Sequence, residues 1–410
     1  MSQLRSRAAV APPRRRFETA LPLVDVLVAV ERPSEPMHCL RPATITAATM
    51  RFVDSFGGDV LYAVKCNPEP SVLRAVWRGG VRHFDCASEG EVTLVRQMFP
   101  KAAIHFMHPV KSRRAIREAY TRHGVRVFVL DSADELAKIL QETDGAADLD
   151  LVVRLAPPAG SGAVYQLCGK FGVSAEATAE LLRRARPHAV KLGVSFHVGS
   201  QCLDPLAYRR AIRLAGEAIR LAGVPVDIID VGGGFPVSYP DMEPPPLGAY
   251  LAEIEAAFEG LRLPATARLW AEPGRALVAG GASVVVQVQL RRGDALYIND
   301  GVYGSLSDAG APGFRFPCRL IRPQDGSSEG LCPFELFGPT CDSVDRMRGP
   351  FLLPADVREG DWVEIGQLGA YGACLRTAFN GFDRARIVEV RDPAMLETPG
   401  YEPLALAAAA

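Results

Sequence analysis

Between about residues 58 and 272 the chain alternates short apolar runs, rich in β-branched and aromatic residues, with longer stretches of helical spacing. Eight such runs read as strands: DVLYAV (59–64), RHFDC (82–86), AIHFM (103–107), RVFVL (126–130), LVVRL (151–155), LGVSFHV (192–198), VDIIDV (226–231) and ARLWAE (267–272). Strands enclosed by helices are nearly continuous apolar runs, so eight consecutive ones predict a closed α/β barrel of the (β/α)8 TIM type, with an open doubly wound sheet as the alternative. Past residue 280 the helical spacing fades. SVVVQVQL (283–290), ALYIND (295–300), PFELFG (333–338), DWVEIG (361–366) and RIVEV (386–390) predict a mostly antiparallel β domain, joined by the early run VDVLVAV (24–30) as a further strand. The expected division is a flexible tail over 1–20, a barrel over 38–280, and a β domain built from 21–37 and 281–410.

Composition narrows the class of partner. The 410 residues are 48% hydrophobic and 23% charged, with 46 Lys+Arg against 47 Asp+Glu, an ordinary globular balance that gives no electrostatic reason to expect nucleic acid or an anionic membrane. No apolar run approaches the roughly 18 to 20 residues of a membrane span. Nine cysteines stand singly without a CxxC pair, which suggests neither a zinc site nor a disulfide framework and fits a reducing cytoplasm. The Arg-rich start resembles a transit peptide, but Pro12 and Pro13 oppose an amphipathic helix there.

A barrel of this kind places its chemistry at the C-terminal ends of its strands, where this chain carries Lys65, Asp85, His108, Asp131, Arg154, His197, Gly232 with its neighbours, and Glu272. Asp131, followed by Ser132 and Asp134, reads as a helix cap. Gly232, Gly233 and Gly234 after the seventh strand, with Arg275 after the eighth, form a candidate phosphate cradle, because glycines let backbone N–H groups approach an anion closely. Of the six lysines only Lys65 directly follows a barrel strand. Lys101, Lys111, Lys138 and Lys191 read as solvated, and Lys170 is the competitor. A strand-end lysine facing a phosphate cradle suggests a Schiff base to a phosphorylated aldehyde cofactor, with a phosphosugar aldolase or isomerase left open.

Eight segments then resemble, in order, the fold-type III pyridoxal-phosphate-dependent ornithine decarboxylase family: YAVKCNPEPSVL (62–73), FDCAS (84–88), FHVGSQC (196–202), DVGGGFP (230–236), AEPGR (271–275), NDGVYGS (299–305), GPTCDSVDR (338–346) and GAY (369–371). The resemblance spans about residues 40 to 382. It implies an alanine-racemase-like barrel with a β domain, pyridoxal 5′-phosphate as cofactor, and no metal. By the same resemblance Lys65 would hold the cofactor, Glu272 would pair with the pyridine nitrogen, and His197 would lie against the ring. Asp85 and Arg154 would order the surroundings; Ser200, Gly232, Gly233, Gly234, Arg275 and Tyr371 would hold the phosphate; Glu91 would take a supporting polar role. Cys341 would protonate the α-carbon after CO2 leaves, reaching the site of a neighbouring subunit in a homodimer.

The resemblance implies decarboxylation of L-ornithine to putrescine in polyamine biosynthesis, with Asp342 as a ligand of the distal amine. The family's Tyr-Asp pair after NDGVYGS is missing, since the stretch reads LSDAGAPGF (306–314), and Asp308 is the candidate replacement. Lysine, or lysine and ornithine together, is the alternative substrate. A catalytically silent regulatory relative is a further alternative that the intact lysine, glycines and thiol oppose.

Overall fold

The computed structural model describes residues 20–157, 162–166 and 169–401, so the tail expected over 1–20 lies, but for its last residue, outside the described residues. The chain enters through helix α1 (Val24–Glu31), strand β1 (Met37–Leu40) and helix α2 (Pro42–Ser55). There follow β2 (Asp59–Ala63), β3 (His83–Cys86), β4 (Ala103–Phe106), β5 (Val127–Leu130), β6 (Asp150–Arg154), a short β7 (Ala163–Tyr165), β8 (Lys191–Ser195), a short β9 (Ser200–Cys202), β10 (Ile228–Asp230) and β11 (Arg268–Ala271). Eight of these close a parallel barrel in the order β10-β11-β2-β3-β4-β5-β6-β8, while β7 and β9 pair separately as an antiparallel ribbon. The eight barrel strands are those expected from the apolar runs.

Four of the helices that separate the strands start where serine caps them. Ser88, Ser112, Ser132 and Ser174 each accept a hydrogen bond from the backbone N–H three residues on, opening helices on the barrel wall at Glu89, Arg113, Ala133 and Ala175 respectively. The cap expected of Asp131 is therefore supplied by Ser132, whose shorter side chain lies at the correct position. Asp131 accepts instead from Gly172 N at 3.0 Å and ties down the loop before the next helix.

The C-terminal unit is an eight-stranded sheet. Strands β12 (Ala282–Arg292), β13 (Ala295–Ile298), β14 (Cys318–Ile321), β15 (Leu331–Phe337), β16 (Arg346–Pro354), β17 (Trp362–Ile365) and β18 (Arg386–Glu389) join β1, and the main path runs β14-β17-β12-β13-β15-β16. Pairing is antiparallel except for β13 with β15 and β1 with β18. The run VDVLVAV, expected as a strand, is helix α1. Its β-branched residues favour a strand locally, but only Val24 and Val28 are fully buried, a spacing of four that suits one helix face packed on Val285, Ile321 and Trp362. The strand on that side of the sheet is β1, which lies between β12 and β18. A buried Arg41–Glu364 ion pair at 2.7 Å, with Ser283 bonded to both, fastens the start of α2 to the β domain.

Candidate active site

β2 ends at Ala63, and a single 3-10 turn over Val64–Cys66 carries Lys65 over the barrel mouth. That turn is held from both sides: Tyr62 donates its hydroxyl to Asn67 O at 3.0 Å, and Asn67 Nδ2 donates to Gly369 O of the β domain at 2.8 Å. Lys65 Nζ lies 2.7 Å from Asp85 Oδ2, the lysine half open to a pocket and the aspartate 1% exposed at the end of β3. Burial disfavours the Lys65 ammonium, but Asp85, Glu272 and Tyr371 together outweigh it and hold the amine well above the usual lysine range. Glu91 reaches back along the loop that follows Asp85, its Oε2 accepting from Ala87 N at 2.6 Å.

Opposite, Glu272 follows β11, and its backbone N–H donates to Gly232 O at 2.8 Å. Burial first, then the neighbouring Asp230 and Asp85, push the Glu272 carboxyl well above the ordinary range; Asp230 is raised to about 6, again chiefly by burial. Two adjacent buried carboxyls cannot both ionise cheaply, so the Asp230–Glu272 pair is biased toward holding one proton between them. His197 lines the same pocket, and its Nδ1 accepts from Gly199 N at 3.0 Å, which leaves hydrogen on Nε2. Burial, then Arg154 and Lys65, keep that ring neutral. Arg154 ends β6 without lining the pocket, and acts on Glu272 and His197 through its charge.

The pocket wall between these groups is formed by Ser200, Gly233, Gly234, Gly274, Arg275 and Tyr371. All three glycine carbonyls are engaged: Gly232 O by Glu272 N, Gly233 O by the Tyr208 hydroxyl, Gly234 O by Cys202 N. Among the described residues the N–H groups of Gly233 and Gly234 meet no acceptor. Gly232 and Gly234 have φ of +66° and +103°, and a Cβ on Gly232 would stand 2.1 Å from Phe196 O, so the loop needs glycine there. Arg275 is buried, its Nη1 donating to the Tyr239 hydroxyl and its Nη2 to Asp308 Oδ2, both at 2.8 Å, while Nε has no partner.

Asp85 Oδ1 and Glu272 Oε1 are likewise buried and unpartnered. Orphaned buried polar atoms call for a partner, either a ligand or ordered water. An amine beside a carboxylate, a buried carboxyl biased toward its protonated form, a neutral imidazole, free backbone N–H groups and a free guanidinium N–H suit the aldehyde, pyridine and phosphate of pyridoxal 5′-phosphate.

The remaining expected residues lie elsewhere. Cys341 is exposed in the loop between β15 and β16, its N–H bonded to Asn380 Oδ1 at 3.1 Å, and it does not line this pocket. Beside it Asp342 accepts from the Tyr303 hydroxyl at 2.6 Å, which holds its carboxyl below the usual range. Asp308, expected at the distal amine, is buried in its ion pair with Arg275, so its charge is already matched. Lys111, expected in solvent, is buried: it pairs with Glu135 at 2.9 Å and donates to Val129 O and His108 O. Burial lowers it to about 8, with Glu135 opposing the shift. Lys170 lies over the Phe171 ring and not in the pocket.

Residues 42–279 match the family model of the pyridoxal binding domain of pyridoxal-dependent decarboxylases, and residues 271–369 match the C-terminal sheet domain of the same family. The chain belongs to this family. The decarboxylase is 33% identical over 361 residues to ornithine decarboxylase of Panagrellus redivivus, covering 82% of this chain and 80% of that one. It superposes on lysine/ornithine decarboxylase complexed with putrescine from Vibrio vulnificus with a TM-score of 0.76 and 32% identity, over 90% of this chain and 97% of that one. It superposes on Paramecium bursaria Chlorella virus arginine decarboxylase bound to agmatine with a TM-score of 0.79 and 28% identity, over 90% and 99%. The decarboxylase therefore uses pyridoxal phosphate. Tyr239, Asp230 and Asn67 were not singled out from the sequence as site residues; only Asp230 had a local signal, as the acid that precedes the glycine run.

Proposed function

We propose that the protein decarboxylates L-ornithine to putrescine, as a cytoplasmic homodimer in polyamine biosynthesis. The observation that carries the substrate choice is Asp342, a half-buried carboxylate next to the exposed Cys341 that is oriented by Tyr303 and suited to a distal ammonium group. The names of the relatives, which include an ornithine decarboxylase and a lysine/ornithine decarboxylase, support the same class of substrate. Lysine is the second reading, because one methylene in a pocket changes selectivity by only roughly 10 to 200-fold.

Bound pyridoxal phosphate supplies the electron sink that makes loss of the α-carboxylate as CO2 feasible. The chain supplies the rest. Lys65 presents its amine to the cofactor's carbonyl position, and Asp85 orients it. Glu272 keeps a proton at the pyridine end of the pocket. His197 contributes an uncharged face, and Arg275 with the Gly233 and Gly234 N–H groups receives the phosphate. Cys341, from the second subunit, delivers a proton to the α-carbon.

Support for the dimer comes from the surface around Cys341. Val344, Leu375, Phe379 and Phe382 are all more than 40% exposed, and the Phe379 ring lies tilted against Tyr303 with centroids 4.9 Å apart. Such a grouping of large exposed apolar side chains supports an interface there. Comparison of kcat/KM for CO2 release from ornithine, lysine and arginine tests the substrate: a preference for arginine, or no turnover of any, would overturn it.

A further inference from the structure

We infer that Asp308 is a positioning residue of the cofactor's phosphate site: it crosses from the β domain to hold Arg275 of the barrel with one guanidinium edge bound and Nε–H free for the phosphate. The inference rests on reading Arg275 and the glycine run as the phosphate cradle.

Three observations meet here. The Arg275–Asp308 pair is 2.8 Å long, with both side chains less than a tenth exposed. The guanidinium is also enclosed by rings, with Phe314 at 5.0 Å, Tyr371 at 5.1 Å and Tyr239 at 5.8 Å from its carbon. Its remaining buried nitrogen, Nε, has no partner among the described residues, and Arg275 lines the pocket that contains Lys65 and the glycines.

The loop bearing Asp308 is built for this direction. Leu306, Ala309 and Phe314 are buried in the β-domain core, and Phe314 N donates to Asp308 O at 2.9 Å, so the loop closes on itself around the acid. Breaking a buried pair leaves an uncompensated charge, which makes this arrangement stiff. Arginine presents its donors in a planar fork, so fixing Nη1 to Tyr239 and Nη2 to Asp308 determines where Nε–H points. The pair is electrically neutral as a unit. Phosphate affinity then depends on the placement of N–H groups more than on net charge, and Asp308 controls that placement.

The test compares apoprotein binding of pyridoxal phosphate with that of pyridoxal, which lacks the phosphate, by absorbance titration. Arg275→Gln should lower the ratio of the two affinities, and Asp308→Asn should lower it by roughly tenfold or more, the scale of a charge-assisted hydrogen bond. In the Arg275→Gln background Asp308→Asn should have little further effect on the ratio. Both ligands sample the same folded fraction, so partial unfolding cancels. If Asp308→Asn gives no folded protein, Asp308→Glu, which lengthens the arm by one methylene, must still lower the ratio. An unchanged or raised ratio in the Asp308 variant, with a lowered one in Arg275→Gln, overturns the role of Asp308. An unchanged ratio in Arg275→Gln overturns the phosphate cradle itself.

Discussion

Lys65 Nζ lies 2.7 Å from Asp85 Oδ2, and the two side chains come from the ends of adjacent barrel strands, β2 and β3. The contact both aims the amine and keeps it charged before cofactor arrives. Lys65→Ala should abolish the visible absorbance of bound cofactor after dialysis. Borohydride reduction of the native protein followed by peptide mapping should place the cofactor on Lys65, and recovery on Lys170 would refute the assignment. In Asp85→Asn the amine loses its partner and its pKa falls, so the pH profile for cofactor capture by apoprotein should move to lower pH.

A second pH effect belongs to the fold. His38 on β1 is buried and bonded to Ser305 Oγ at 2.9 Å, while Arg376 joins Ser305 to Asp300. Burial, opposed by Asp300, lowers His38 to about 4 from 6.5. Between those values the unfolded chain binds a proton that the folded chain does not, so stability from this residue is present above pH 6.5 and is lost as pH falls toward 4. The full effect is up to about 3 kcal/mol, from 1.36 kcal/mol per pKa unit. Urea unfolding of native protein and His38→Gln between pH 7 and pH 4.5 should show a steeper acid loss in the native protein; parallel curves would contradict this.

The barrel was legible because its strands are short apolar runs, most of them closed by a polar residue, and several of those polar residues converge in space. Lys65, Asp85, His197, Glu272 and Arg275 needed no more than strand order to be brought together. Helix α1 was not legible, because a seven-residue valine-rich run has no internal sign of which face is covered; packing on Val285 and Trp362 decides it. Strand β16 contains Gly349-Pro350, which reads as a turn, yet Pro333↔Leu352 and Phe334↔Phe351 continue the ladder beside it. Asp308 looked like a substrate ligand because its partner Arg275 stands 33 positions away in another domain, a relation no local pattern carries.

Cys341→Ala should bind cofactor normally, since Cys341 does not line the Lys65 pocket. Its loss should redirect the proton that the α-carbon ordinarily receives, giving an aldehyde and pyridoxamine phosphate in place of part of the diamine. Chromatography of the products under single turnover decides the point, and a native product distribution with full turnover would remove the thiol from the mechanism.

The last prediction separates the two halves of the site. If Lys65 acts in one subunit while Cys341 and Asp342 act from the other, then Lys65→Ala and Asp342→Asn are each defective in every homodimer, for different reasons. Asp342→Asn should lower kcat/KM for ornithine by roughly tenfold or more, because the site then offers a neutral amide to an ammonium group. Tyr303→Phe, which removes the hydroxyl that orients Asp342, should have a smaller effect in the same direction. Mixing the two defective proteins under conditions that exchange subunits should restore activity: half of the dimers are then mixed, each with one fully native site, for roughly a quarter of the native rate. A mixture no more active than its components would place all the reacting groups within one chain, which the exposed position of Cys341 outside the Lys65 pocket argues against.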